Sequence, residues 1–131
     1  MILFCDEDVG KGIPLALRLV GCQTKYMYEM GWAGKPDTKW LEDVGGRGWL
    51  VFSYNKKILR VPEERDTLIK GKVGAIFLTT GQEYARNVLR VLLSRWDSLE
   101  SLDSTESKPF VRFLLPSGRL VPKYKDFPSI P

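Results

Sequence analysis

Histidine is absent from the 131 residues, and that one absence removes several kinds of chemistry. Without imidazole there is no Ser-His-Asp or Cys-His nucleophile arrangement and no histidine-bearing zinc site. Cysteine is scarce. Cys5 and Cys22 form no CxxC pair, and they read as reduced, buried thiols rather than a disulfide. No apolar run approaches the roughly 20 residues that cross a bilayer, so no membrane partner is expected. No basic segment precedes the apolar start, and Asp6 interrupts it, so a secretory leader is not expected and a cytoplasmic location is. An enzyme built from what remains would rely on carboxylates and a metal ion.

What is present suits a folded domain. The chain is 44% hydrophobic with four tryptophans, enough to bury a core and to argue against wholesale disorder. A single domain over residues 1–121 and a loose, proline-bearing tail over 122–131 are expected. The net charge of +4 is modest but unevenly spread. Arg47, Lys56, Lys57, Arg60, Arg65, Lys70 and Lys72 face only three acids in the same span, and Lys108, Arg112, Arg119, Lys123 and Lys125 crowd the end. Such basic segments are compatible with a polyanionic substrate, or with ordinary solvated faces.

Met1 to Cys5 reads as a buried strand that runs into three consecutive acids, Asp6-Glu7-Asp8. Neighbouring negative charges repel unless water, a base or a cation offsets them, and carboxylate oxygens suit Mg2+ or Mn2+. Asp8 lies two residues from Asp6, on the same side if strand geometry persists, whereas Glu7 points away towards solvent. After Gly10-Lys11-Gly12, Pro14 sits in a helix's first turn and Gly21 ends it. Gln23 to Tyr28 is a weaker strand, nearer an edge. Asp37 opens a helix striped by Trp40, Leu41 and Val44 and closed by Gly45-Gly46. Trp49 to Ser53 is a third strand, Glu63 to Lys70 a charged helix, and Val73 to Thr80 a fourth strand. Gly81 starts a long helix whose inward face is Ala85, Val88, Leu89, Leu92 and Trp96, and Phe110 onward forms a hairpin about Pro116-Ser117-Gly118.

Strand–helix alternation indicates a largely parallel α/β sheet, whose ligands sit beyond the strands' carboxyl ends. Asp6, Asn55 and Thr79-Thr80 follow predicted strands and would meet at that rim. Topology alone does not bring Asp37 there, and an Asp before a helical stripe is a good N-cap, contributing roughly 1 kcal/mol. Asn55 reads as a turn residue or a neutral oxygen ligand. Lys56, Lys57 and Arg60 read as phosphate contacts or solvated charges. Trp32, on a glycine-flanked loop, is the tryptophan to suspect of stacking on a base.

The order Cys5-Asp6-Glu7-Asp8-Val9-Gly10-Lys11-Gly12-Ile13-Pro14, Pro36-Asp37-Thr38-Lys39-Trp40-Leu41, Gly46-Arg47-Gly48-Trp49-Leu50-Val51 and Pro62-Glu63-Glu64-Arg65 resembles PIN-like domains, especially a branch related to VapC-type toxins. The resemblance implies a three-layer α/β/α fold with a mostly parallel, twisted sheet of four to six strands. It also implies a metal-dependent ribonuclease, with Asp6, Asp37 and Asn55 as catalytic positions. Asp6, Asp8, Asp37 and Asn55 would then hold Mg2+ or Mn2+, and Lys56, Lys57 and Arg60 would hold RNA. An antitoxin protein and a second copy of the chain are further candidate partners. The family's third acid is replaced by Asn55 within Ser53-Tyr54-Asn55-Lys56, so two other readings stay open. One is a catalytically weakened PIN-like module that binds RNA or protein. The other is a receiver-like signalling domain, which would need a phosphorylatable Asp where Asn55 stands.

Overall fold

Side chains that alternate across short parallel strands decide the architecture, because each strand must bury both faces. The computed structural model describes residues 1–80, 83–122 and 127. The elements run β1 (Leu3–Cys5), α1 (Gly12–Leu19), β2 (Thr24–Tyr26), α2 (Asp37–Arg47), β3 (Leu50–Ser53), a 3₁₀ turn (Lys56–Leu59), α3 (Pro62–Lys70), β4 (Gly74–Leu78), α4 (Ala85–Ser94), α5 (Trp96–Thr105), β5 (Phe110–Leu114) and β6 (Leu120–Val121). One six-stranded sheet has the order β2-β1-β3-β4-β5-β6. The pairs from β2 through β5 are parallel, and β6 returns antiparallel to β5.

Two separate apolar layers sandwich this sheet. On one face Leu3, Cys5, Leu50, Phe52 and Ile76 pack against Ile13 and Leu17 of α1, Val88 and Leu92 of α4 and Leu99 of α5. On the other, Phe4, Val51, Ala75 and Phe77 meet Trp40, Leu41 and Val44 of α2 and Leu68 of α3. The fold is therefore three-layered α/β/α. Phe4 and Trp40, both fully buried, stand with ring centroids 5.4 Å apart. Burying each such ring contributes roughly 1.5–3 kcal/mol.

Several expectations need correction. Gly45-Gly46 does not close α2, which continues to Arg47 and ends at Gly48 in the left-handed region (φ 72°). Gly45 stays inside the helix because α2 and α3 pack there backbone to backbone: a Cβ on Gly45 would lie 2.4 Å from the Gly71 carbonyl oxygen. The expected long fourth helix is two helices. The chain turns at Arg95, whose Nε donates to the Gly118 carbonyl, and α5 then carries Leu99 into the core. Ala85 is exposed rather than inward, and Val91 takes a buried place. Phe127, in the expected loose tail, is instead partly buried, with the Arg65 guanidinium carbon 5.6 Å from its ring centroid. Gly81 and tail residues 123–126 and 128–131 lie outside the described residues. Cys5 and Cys22 are free and buried, as expected. Among the described residues no helix is long and apolar enough to cross a membrane.

The glycine pair in α2 gives a paired test. Gly45→Ala should cost about 1–3 kcal/mol by overpacking, while Gly46→Ala, with open space around it, should gain about 0.5–1 kcal/mol from helix propensity. Urea denaturation of both variants measures the difference.

Candidate functional site

The two crossovers that flank β2 set the location of the site. The crossover through α1 to β2 passes one face of the sheet, and the crossover through α2 to β3 passes the other. Between β1 and β3 the winding therefore reverses, and a crevice opens beyond their carboxyl ends. A cavity of about 350 Å³ occupies this position, lined by Asp6, Glu7, Asp8, Asp37, Asn55 and Lys57. Larger hollows of about 540 and 610 Å³ flank α1 and β2, but Lys11, Tyr26, Tyr28 and Glu29 line the first and Leu15, Ala16, Arg18 and Leu19 the second. Neither gathers acids. The smaller cavity gathers four, Asp6, Glu7, Asp8 and Asp37.

Of the residues lining the cavity, Asp6 is the most removed from water, only 4% exposed. Its backbone N–H donates to the Phe52 carbonyl at 3.4 Å, extending the β1–β3 ladder by one step. Ser53, the last residue of β3, donates its hydroxyl to Asp6 Oδ2, and the same hydroxyl oxygen accepts the Asn55 N–H at 2.9 Å. Asp6 Oδ1 is buried with no hydrogen-bond partner. Burial pushes the Asp6 carboxyl up to about 7, and repulsion from Asp8 and Asp37 adds to this against the opposing hydrogen bonds from Ser53 and Val9.

Asp37 shares the rim, although topology was not expected to bring it there. The physical reason is that a helix between two parallel strands runs antiparallel to them, so its N-terminus lies at their carboxyl ends. Nor is Asp37 the helix cap. Pro36 occupies that position, and no side chain bonds the free amides. Asp37 is instead the first helical residue, favourably placed for the helix dipole, and its Oδ1 accepts the Trp40 indole N–H at 2.8 Å. Glu7 is exposed as expected, yet it also lines the cavity, and its Oε1 accepts the Gly34 N–H at 2.7 Å. Asp8 is exposed on the same cavity.

Asn55 caps the 3₁₀ turn, its Oδ1 accepting the Lys57 N–H at 3.2 Å. The three basic residues then diverge. Lys57 is exposed and lines the cavity, whereas Lys56 sends its ammonium to the Thr79 carbonyl at the end of β4. Arg60 is exposed but is not among the lining residues. The Trp32 ring is already engaged: Phe4 lies 5.7 Å away, Lys35 Nζ 4.9 Å and Arg47 Cζ 5.6 Å from its centroid. The ring is thus half-buried against the core, with two cations beside it.

Two residues escaped the sequence reading. Ser53 sat inside the quoted Ser53-Tyr54-Asn55-Lys56 segment, but only the register of β1 on β3 reveals its bond to Asp6. Glu64, in the first turn of α3, is only 8% exposed. A hydrogen bond with Asp37 pushes its carboxyl up to about 7, and burial and the charge of Asp37 add to this while Lys57 opposes. The available signal was that α3 precedes β4 as α2 precedes β3, so its first turn also reaches the rim.

A family model described as a PIN like domain matches residues 1–80, which is more than half of the chain. The chain belongs to the PIN-like domain family. No curated protein and no solved structure matches it. The matched stretch of this PIN-like domain contains every residue lining the cavity, as well as Ser53 and Glu64. Among the described residues, no three Asp, Glu, His or Cys side chains are grouped so as to hold a metal ion by themselves. The donors present nevertheless fit a hard divalent cation. All are oxygens, one of them a buried carboxylate atom without a partner, and Mg2+ commonly takes only one or two carboxylates and keeps several waters.

The raised Asp6 carboxyl has a consequence for the metal-free protein. Between about pH 4 and pH 7 the folded chain keeps a proton that the unfolded chain has released, so stability falls as pH rises through that window. One such group gives a slope of at most about 1.4 kcal/mol per pH unit. Asp6→Asn should flatten the slope, measured by urea denaturation in a chelator from pH 4 to 8. An unchanged slope would show that Asp6 titrates normally.

Proposed function

We propose that this PIN-like domain is a metal-dependent ribonuclease that hydrolyses RNA phosphodiesters with Mg2+ or Mn2+. The observation that carries the reading is the buried, unpartnered Oδ1 of Asp6 in an oxygen-lined cavity at the switch point of the sheet. Asp6 and Asp37 would hold the cation, with Asn55 contributing a neutral oxygen and Asp8 a second charge from the same loop. A bound cation would supply Lewis-acid stabilisation of the charge that develops on the phosphodiester. The chain's own part is to exclude water around Asp6, to fix Asp37 through the Trp40 indole, and to offer Lys57 to a phosphate. Arg60 extends the same basic side for the RNA backbone. Lys56 serves it less directly, since its ammonium braces the β3 and β4 ends together.

RNA cleavage in the presence of Mn2+ tests the assignment. Asp6→Asn and Asp37→Asn should each lower the rate by roughly 100-fold or more, the loss of several kcal/mol of electrostatic stabilisation. Equal activity in wild type and both variants would remove it. The toxin role, with an antitoxin as partner, rests on the resemblance to VapC-type chains alone. Co-expression with the product of the neighbouring reading frame tests that part: neutralised toxicity supports it.

A second reading has its own observation in favour. Asn55 carries no charge, and its Oδ1 is occupied by the Lys57 amide, which suits a domain that keeps the fold and binds RNA or protein without catalysis. Under that reading wild type binds Mn2+ weakly, and Asn55→Asp tightens binding in calorimetry by about tenfold or more.

A further inference from the structure

Next to the acid-lined cavity lies the hollow of about 540 Å³ walled by Gly10, Lys11, Tyr26, Tyr28 and Glu29. One loop serves both. Asp6, Glu7 and Asp8 line the cavity, and Gly10 and Lys11, where the same loop enters α1, line the hollow. Two residues of chain span at most about 7 Å, so Asp8 and Gly10 keep the two spaces close enough for one to take a phosphate and the other its adjoining base.

Tyr28 is 59% exposed, and among the described residues its side chain meets no ring, no cation and no hydrogen-bond partner. A single exposed ring is ordinary on a protein surface, but this one walls a concavity of ligand-binding size beside a free cation. Lys11 is exposed, and its ammonium pairs with no carboxylate among the described residues. Glu29, the acid on this wall, is already neutralised: its Oε1 accepts from Arg18 Nη2 at 2.6 Å and from the Tyr26 N–H at 3.1 Å. Arg18 also donates to the Thr24 carbonyl at 2.7 Å and lies 5.7 Å from the Tyr26 ring centroid. Tyr26 is therefore braced as a wall, and Tyr28 is the ring left open to a ligand.

We propose that this hollow is a base-binding subsite for single-stranded RNA, in which Tyr28 stacks on the base beside the scissile phosphate and Lys11 neutralises the next phosphate. The proposal rests on the RNA reading above. It gives the strand a path along the rim, with Lys57 after β3 on one side of the acids and Lys11 towards β2 on the other. Stacking accepts every base, and it favours single strands because duplex bases are already stacked on one another.

A labelled short single-stranded RNA carrying one 2-aminopurine tests this, with affinity read by anisotropy in Ca2+ and stacking read by quenching of the 2-aminopurine. Tyr28→Ala should weaken binding about 5- to 100-fold and lose the quenching, while Tyr28→Phe should keep both. Lys11→Ala should lower the slope of log affinity against log salt by about 0.7, and Lys70→Ala, at the end of α3 away from the rim, should leave affinity and quenching unchanged. Unchanged affinity in Tyr28→Ala, or Tyr28→Phe as weak as Tyr28→Ala, overturns the subsite and leaves the ribonuclease reading standing. RNA that binds through Tyr28 but is not cleaved in Mn2+ upholds the subsite while the catalytic reading fails. A wild type that binds no single-stranded RNA in either Ca2+ or Mn2+ overturns both.

Discussion

The bond from the Ser53 hydroxyl to the Asp6 carboxyl joins the two strands between which the crevice opens. It satisfies one oxygen of a carboxyl that the sheet has otherwise taken out of water, and it leaves the other without a partner. A buried acceptor in that condition costs the fold roughly 1–3 kcal/mol. The surrounding packing sustains this because Asp6 continues β1 directly, between Cys5 in one apolar layer and the turn closed by Val9. Ser53 also takes up the Asn55 amide, so one hydroxyl orders both the strand end and the following turn. Asp6 and Asn55 thus reach the cavity through a shared support.

The handedness of the chain does the rest. Helices α2 and α3, each leading back into a parallel strand, start at the carboxyl rim and so present Asp37 and Glu64 where β1 and β3 present Asp6 and Asn55. Acids far apart in sequence thereby enter one electrostatic neighbourhood. Asp8 and Asp37 raise the Asp6 carboxyl, and Asp37 raises Glu64. Lys57 is the cation facing this group from the protein side, and it opposes the rise at Glu64. A rim that collects acids and then buries two of them is suited to positive ligands.

Much of the fold was legible from local pattern. Apolar runs marked β1, β3 and β4, and the apolar stripe in α2 matched the side chains that became its core face. The errors came where tertiary contact outweighs local signal. Gly45-Gly46 reads as a helix stop, yet contact with Gly71 keeps Gly45 within α2. Leu89 and Trp96 read as one helical face, yet the chain turns at Arg95 against the β5–β6 turn. Trp32 reads as a free ring on a loop, yet Phe4, Lys35 and Arg47 occupy it.

The sequence by itself determined the alternating strand and helix order, the acids that end the first strand, the lack of imidazole chemistry and the resemblance to PIN-like domains. Those are properties of composition, period and motif, which neighbouring residues carry between them. Only the tertiary structure decided that Asp37 caps nothing, that Lys56 is tied to Thr79, that Ser53 holds Asp6, and that Glu64 lies beside Asp37. Each of those depends on strand register or helix packing, where residues tens of positions apart meet, and no local pattern encodes which of them will do so.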